Sequence, residues 1–188
     1  MTGSGPDVHD LIRSRWSPKS FSSQEISDDD LRTVFEAARW SASSYNEQPW
    51  RFFVARRSDE AGFQKLLNLL VPANRAWAQS APVLVITAAK KTFSHNHSPN
   101  YYALHDTGQA LANLSMQATA LGLHVHAMGG FDHELARKEL HIPDDYEVGA
   151  ALALGYTEAE PASERQRKPL HDIVFGAGWN EPLHFSAS

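Results

Sequence analysis

Cysteine is missing altogether from the 188 residues, which excludes disulfides, thiolate metal sites and cysteine nucleophiles. No apolar run is long enough to span a bilayer, a task that takes about 20 residues. The opening MTGSGPDVHD has neither a basic n-region nor an apolar core. No secretory leader is therefore expected, and the expected location is the cytoplasm. Also wanting are the phosphate loop GxxxxGK, the dinucleotide fingerprint GxGxxG and the nucleophile elbow GxSxG. Their lack removes the usual sequence support for those nucleotide folds and for a Ser-His-Asp hydrolase. Positive charge is in deficit: 17 Lys and Arg stand against 22 Asp and Glu, a formal net charge of -5. Phosphate contacts need a basic surface, so no nucleic-acid partner is expected.

What remains is ordinary for a globular chain, with 42% hydrophobic and 21% charged residues. Residues 1–188 are read as one domain, with 1–6 disordered and about 157–188 an extended arm holding little core of its own. Asp7 is positioned to cap a short helix from Leu11 to about Arg15. Ser27 with Asp30 resembles a capping box. It opens a helix to about Trp40 whose apolar residues Leu31, Val34, Phe35 and Ala38 share one face. Phe52 to Ala55 reads as a strand, and Ser58 as the cap of a helix carrying Phe63, Leu66, Leu67 and Leu70. PVLVITAA from Pro82 is a strand covered on both faces. A long helix over Tyr102–Leu121 carries a stripe of Leu104, Leu111, Leu114, Ala118 and Leu121 flanked by Ala103, Ala110 and Ala112, and Gly122 ends it. LHVHAMGGF is a strand turning at Gly129-Gly130, Asp132 caps a short helix, and EVGAALALGY is a buried strand. This order predicts an α/β or α+β sandwich of four strands or slightly more.

Two basic clusters, Arg13, Arg15 and Lys19 near one end and Arg165, Arg167 and Lys168 near the other, could converge on one anion or be solvated surface charge. Arginine offers a planar fork to phosphate, and lysine a point charge. Ser17, Ser43, Ser44 and Asn46 could add neutral donors around a phosphate and a polyol. Gly129 and Gly130 let backbone N–H groups approach a flat ring, or simply make a turn. Trp50 reads as core. The pairs His95/His97 and His124/His126, with His105 and Asp106, invite a metal reading. A site needs three or four convergent ligands and no third stands at metal spacing, so no metal is expected; surface or pocket-lining roles suffice.

Several blocks together resemble the FMN-dependent nitroreductase family. Arg15-Trp16-Ser17-Pro18-Lys19-Ser20-Phe21 matches R-x-S-x-K/R-x-F, and AARWSASSYNEQPWRF (Ala37 to Phe52) matches A-x-x-A/S-P-S-x-x-N-x-Q-P-W-x-F. ATALGLHVHAMGGFD and Leu154-Gly155-Tyr156 with Arg167 to Val174 supply the third and fourth blocks. The second block is the specific one. The likeness spans nearly the whole chain, in order. It departs at Trp16, where Arg or His is usual, at Ala42, where Pro is common, and in the short segment Lys90–Asn100.

The resemblance implies an α+β fold, a central mostly antiparallel sheet flanked by helices, with a C-terminal arm reaching onto a partner subunit. It implies a homodimer with FMN at the interface, hydride passing from NAD(P)H by way of FMN to a small-molecule electrophile: a nitro compound, a quinone or an activated alkene. Arg15, Ser17 and Lys19, with Trp16 beside them, would hold phosphate, ribityl chain and the N1/O2 edge of the ring. A cation about 4 Å from charge developing there stabilises it by about 4 kcal/mol at an effective dielectric of about 20, before desolvation. Ser43, Ser44 and Asn46, with Ala42, would reach the cofactor from the partner. Met128, Gly129 and Gly130 would line the ring, Arg165 and Arg167 would close on the phosphate, and Asp106 and Asn74 would approach the flavin. Water or the Tyr45 hydroxyl could deliver a proton; no catalytic acid is required. Two alternatives stay open: a relative that diverts reduced flavin using oxygen, and a flavin- or ligand-binding protein without turnover.

Overall fold

In the computed structural model, which describes residues 8–161, 163, 165–179 and 181–185, four strands form one antiparallel sheet. They are β1 (Trp50–Arg56), β2 (Val83–Lys90), β3 (His124–Met128) and β4 (Tyr146–Gly155), in the order β1-β2-β4-β3. Six helices accompany them: α1 (Asp10–Ser14), α2 (Asp28–Arg39), α3 (Glu60–Leu69), α4 (Pro72–Ala78), α5 (Ala103–Ala120) and α6 (His133–Glu139). Successive strand residues face opposite sides, so β2 and β4 supply two cores at once. Val83, Val85, Leu152 and Leu154 pack under α2 and α5, with Val34, Leu114 and Ala118. Leu84, Ile86, Ala151 and Ala153 pack under α3, α4 and α6, with Phe63, Leu66 and Ala136. A register shift between Ile86 and Ala88 interrupts the pairing of β2 with β4. There Thr87 Oγ1 accepts from the Ala150 N–H at 2.8 Å and takes the space a Cβ on Gly149 would need. The expected α+β architecture, an antiparallel sheet flanked by helices, is the one the chain adopts.

The caps follow local chemistry, and several expectations are corrected. Asp7 and the expected disorder of 1–6 lie outside the described residues; His9 caps α1, its Nδ1 accepting from the Leu11 N–H at 3.2 Å. Ser27 caps α2 as expected, accepting from the Asp30 N–H, while its own hydroxyl donates to the Asp30 carboxylate at 2.8 Å. The cap of α3 is Asp59 and not Ser58, because the Asp59 carboxylate reaches the Gly62 N–H at 3.1 Å; Leu70 falls just past the helix. Strand β1 is longer than Phe52 to Ala55, since all seven of its residues pair with β2. A further correction concerns α5. Its buried face is Ala103, Asp106, Thr107, Ala110, Leu114 and Ala118, whereas Leu104 and Ala112 face outward. Small residues win that face because α5 crosses the sheet and α2 closely. Helix α4 was not foreseen at all.

Candidate functional site

Between α1 and Phe21 the chain runs extended along β3. From Trp16 to Lys19 side chains alternate as in an extended segment: Trp16 is half-buried and Pro18 buried, while Ser17 and Lys19 are exposed; the alternation ends at the exposed Ser20, and Phe21 is buried. One ring contact and two hydrogen bonds fix the inward side. Trp16 meets His124 edge-on at 5.4 Å between centroids. The Pro18 carbonyl accepts from His126 Nδ1 at 2.7 Å. The Phe21 N–H donates to Ser80 Oγ at 3.2 Å. Outward, Arg15, Trp16, Ser17 and Lys19 form one wall of a cleft of about 520 Å³, whose other wall is Ala159, Glu160, Pro161, Ser163 and Arg165. Arg165 serves both walls. Its guanidinium donates to the carbonyls of Arg13 and Arg15, at the end of α1, where carbonyls otherwise lack partners. Behind it a second hollow of about 300 Å³ is lined by Arg13, Arg15, Arg165 and Arg167 with three apolar side chains.

The two basic clusters, expected either to converge or to stand apart in solvent, converge. Burial, then Arg165 and Arg167, push the Arg15 guanidinium below its ordinary value. Among the described residues, none of Arg15, Arg165 and Arg167 has a carboxylate within ion-pair range. Excess cationic charge is thus packed at the edge of an open cleft. A neighbouring anion would relieve both the repulsion and the desolvation.

The segment Ser43–Gln48 is built differently. It turns through a single 3-10 turn, Ser44–Asn46, and three non-glycine residues take left-handed φ: Tyr45 at 52°, Asn46 at 54° and Gln48 at 52°. Each such residue costs about 1–2 kcal/mol, so other contacts must hold the shape. The buried Asp106 carboxylate accepts from the Ser44 N–H at 2.9 Å, and Ser43 Oγ accepts from the Gln48 N–H at 3.0 Å. Glu47, its carboxylate almost enclosed, accepts from Ser94 N–H and Oγ at 2.8 and 2.6 Å, with Lys90 Nζ 3.6 Å away. These hydrogen bonds and Lys90 hold the Glu47 carboxyl below its ordinary value against the opposing effect of burial, which is the largest single influence. Gln48 therefore braces the turn, its side chain donating to the Asn46 carbonyl at 3.1 Å. The Ser44 hydroxyl and Asn46 carboxamide keep no hydrogen-bond partner among the described residues, and Tyr45 is 82% exposed.

The remaining expected residues divide. Met128 is 4% exposed, its side chain packed in the α3 side of the core, which leaves its backbone as the part free to meet a ligand. Asp106 is likewise committed to its own chain, beneath the Ser44 turn. Asn74, on α4, donates to the Gly130 carbonyl at 3.0 Å and so shapes the Gly129-Gly130 turn. A Cβ on Gly130 would meet Asn74 Nδ2 at 2.6 Å, whereas one on Gly129 would meet nothing within 4 Å. Trp50 is buried core. Neither the 42–46 segment nor the 128–130 turn lines the arginine cleft of its own chain. Sequence reading missed His124 and His126 as contacts of the Arg15–Phe21 strip, although their i, i+2 spacing had put them on one face of β3. Among the described residues no group of three or more His, Asp or Glu is arranged to hold a metal ion.

Comparison with known proteins bears on the fold and the family. The Nitroreductase family profile matches residues 12–156, from α1 through the end of β4. A crystal structure described as an oxidoreductase containing FMN is 31% identical and superposes with a TM-score of 0.88, covering 95% of this chain and 96% of that one. A nitroreductase family protein from Clostridium difficile 630 is 25% identical with a TM-score of 0.75, covering 90% and 98%. A Streptomyces coelicolor protein provisionally named NADH dehydrogenase/NAD(P)H nitroreductase is 29% identical over 173 residues, 81% of this chain and 84% of that protein. The profile match covers most of the chain, and with it the strip, the braced turn and the glycine pair, so this chain belongs to the nitroreductase family.

Proposed function

We propose that the protein is an FMN-dependent oxidoreductase, working as a homodimer, that takes hydride from NAD(P)H and delivers it to a small electrophile such as a nitro compound, quinone or activated alkene. One observation carries the reading: Arg15, Arg165 and Arg167 crowd together, without a carboxylate partner among the described residues, beside a cleft that Ser17 and Lys19 face. That donor set suits a phosphate monoester followed by a polyol and a heteroaromatic edge. The open space at Gly129 suits a flat ring lying against backbone. FMN, when bound, supplies the two-electron hydride chemistry. The chain's share is to hold and polarise it. Arg15 and Arg167 would neutralise the phosphate, with Arg165 closing the cleft while anchored to α1. Ser17 would donate to the ribityl hydroxyls, and Lys19 would stabilise negative charge at the ring's N1/O2 edge. The Ser44 and Asn46 side chains, without hydrogen-bond partners among the described residues, support completion of the partner's site across the dimer.

The visible spectrum of the purified protein tests this. The expected result is yellow protein that bleaches with NAD(P)H in the absence of oxygen and recovers on adding an electrophile. Colourless protein that takes up no added FMN would overturn the reading; yellow protein that NAD(P)H never bleaches would reduce it to a binder. Lys19→Ala and Arg167→Ala should each weaken FMN binding about tenfold or more, the usual value of a charge-assisted hydrogen bond.

A further inference from the structure

We infer that His126 is a positioning residue of this site, setting the direction of Lys19 through the Pro18 carbonyl; the inference rests on the flavin reading above. The proline ring locks φ of residue 18 and the peptide bond is planar, so the one soft angle between the Pro18 ring and Lys19 is ψ of Pro18. The hydrogen bond from His126 Nδ1 to the Pro18 carbonyl, 2.7 Å long, fixes that angle. A carbonyl only accepts, so the imidazole carries its proton on Nδ1. Without this bond the buried carbonyl would lack a partner and the Pro18–Lys19 peptide could rotate.

The imidazole is itself held. Trp77 of α4 lies over it at 4.5 Å between centroids, and Phe21, the last residue of the strip, stacks on the other partner of that contact, Trp77, at 6.4 Å. The same α4 fastens the Gly130 carbonyl through Asn74. One short helix thus sets the register of both elements to which the flavin reading assigns the ring, the Ser17–Lys19 strip and the glycine turn. Burial, followed by the charge of Lys19, lowers the pKa of His126, while its bond to Pro18 acts the other way; the neutral Nδ1–H form suits a fixed strut.

The test separates donor from ring. His126→Phe keeps an aromatic ring against Trp77 but has no donor, and His126→Asn places a carboxamide nitrogen where Nδ1 stood. With FMN itself as probe, followed by quenching of its fluorescence, H126F should bind about three- to tenfold more weakly, the usual net value of one hydrogen bond, and H126N should stay close to wild type. Unchanged binding in H126F, or an equal loss in both variants, overturns the inference in favour of plain packing. Should H126F not fold, H126N against His126→Ala decides in the same way, Asn retaining affinity that Ala loses. Wild-type protein that takes up no FMN sinks the flavin reading, and this inference with it; FMN bound equally by all variants sinks the inference alone.

Discussion

A methyl group added at Gly130 would lie 2.6 Å from the Asn74 carboxamide nitrogen and 3.1 Å from a Val71 methyl, while the same group at Gly129 would meet open space. Neither glycine has left-handed φ, so conformation alone does not explain them. Gly130 is small for the chain's own sake, because α4 packs onto it. At Gly129 no contact of the chain itself requires a small residue, which suits its proposed place against the flavin. Gly130→Ala should therefore cost about 1–3 kcal/mol of stability, as overpacking does, with or without cofactor. Gly129→Ala should leave the flavin-free protein within about 0.5 kcal/mol of wild type and still weaken FMN uptake. Denaturant melts of the flavin-free proteins alongside FMN titrations check both; equal affinity in G129A would remove Gly129 from the site.

Strand β3 carries the pH response of the strip. Burial, then Arg15, lowers the pKa of His124; burial, with Lys19 acting the same way, lowers that of His126. The His126 bond to the Pro18 carbonyl, and the Trp16 backbone beside His124, oppose these shifts without reversing them. With folded values below the ordinary one of about 6.5, the unfolded chain binds more protons in the window beneath it, and stability rises with pH there. The contribution is complete above about pH 6.5 and is lost as pH falls through the lowered folded values. Urea midpoints of flavin-free protein between pH 8 and 5 should decline below about 6.5, and a His124→Gln/His126→Gln double variant should decline less steeply. Identical slopes would exclude the histidines as the cause. Elements such as α2 were legible because their signals are local: Ser27 and Asp30 sit in one turn, and three of four expected apolar residues are buried. Helix α4 was illegible because it starts at Val71-Pro72 with no side-chain cap and buries only Ala78. The α5 stripe misled because large leucines attract notice, yet a close crossing selects alanine and threonine. In the site, the Arg15–Lys19 spacing could be read. The His126 bond to Pro18 and the Asp106 bond to Ser44 join residues 108 and 62 apart, distances over which no local pattern reports.

For the molecule as a whole, the arm beyond β4 is the part least covered by its own chain. Trp179 is 82% exposed, Phe185 62% and Ile173 56%, although Phe175 and Trp179 stack at 5.3 Å. Tyr101 and Leu104 at the start of α5 are also bare. Apolar area of this kind marks an interaction surface, and a second copy of the chain is the proposed cover. Light scattering should give the mass of a dimer. A chain ending after Tyr156 should be monomeric and free of FMN, having lost the arm's apolar residues together with Arg165 and Arg167; a monomeric full-length protein would refute this.

The Arg165 clasp on α1 also sets an order in time. It joins residues 150 and 152 positions apart, whereas all four strands are complete at Gly155. Chains emerge from the ribosome at about 5–20 residues per second and fold from the first residues made. The sheet can therefore form while Arg165 is still inside the exit tunnel. During that interval Arg15 stands without its neighbours, and the proposed anion site is unmade. A premature stop anywhere after Tyr156 but before Arg165 would yield a chain with its sheet in place and no grip on a phosphate.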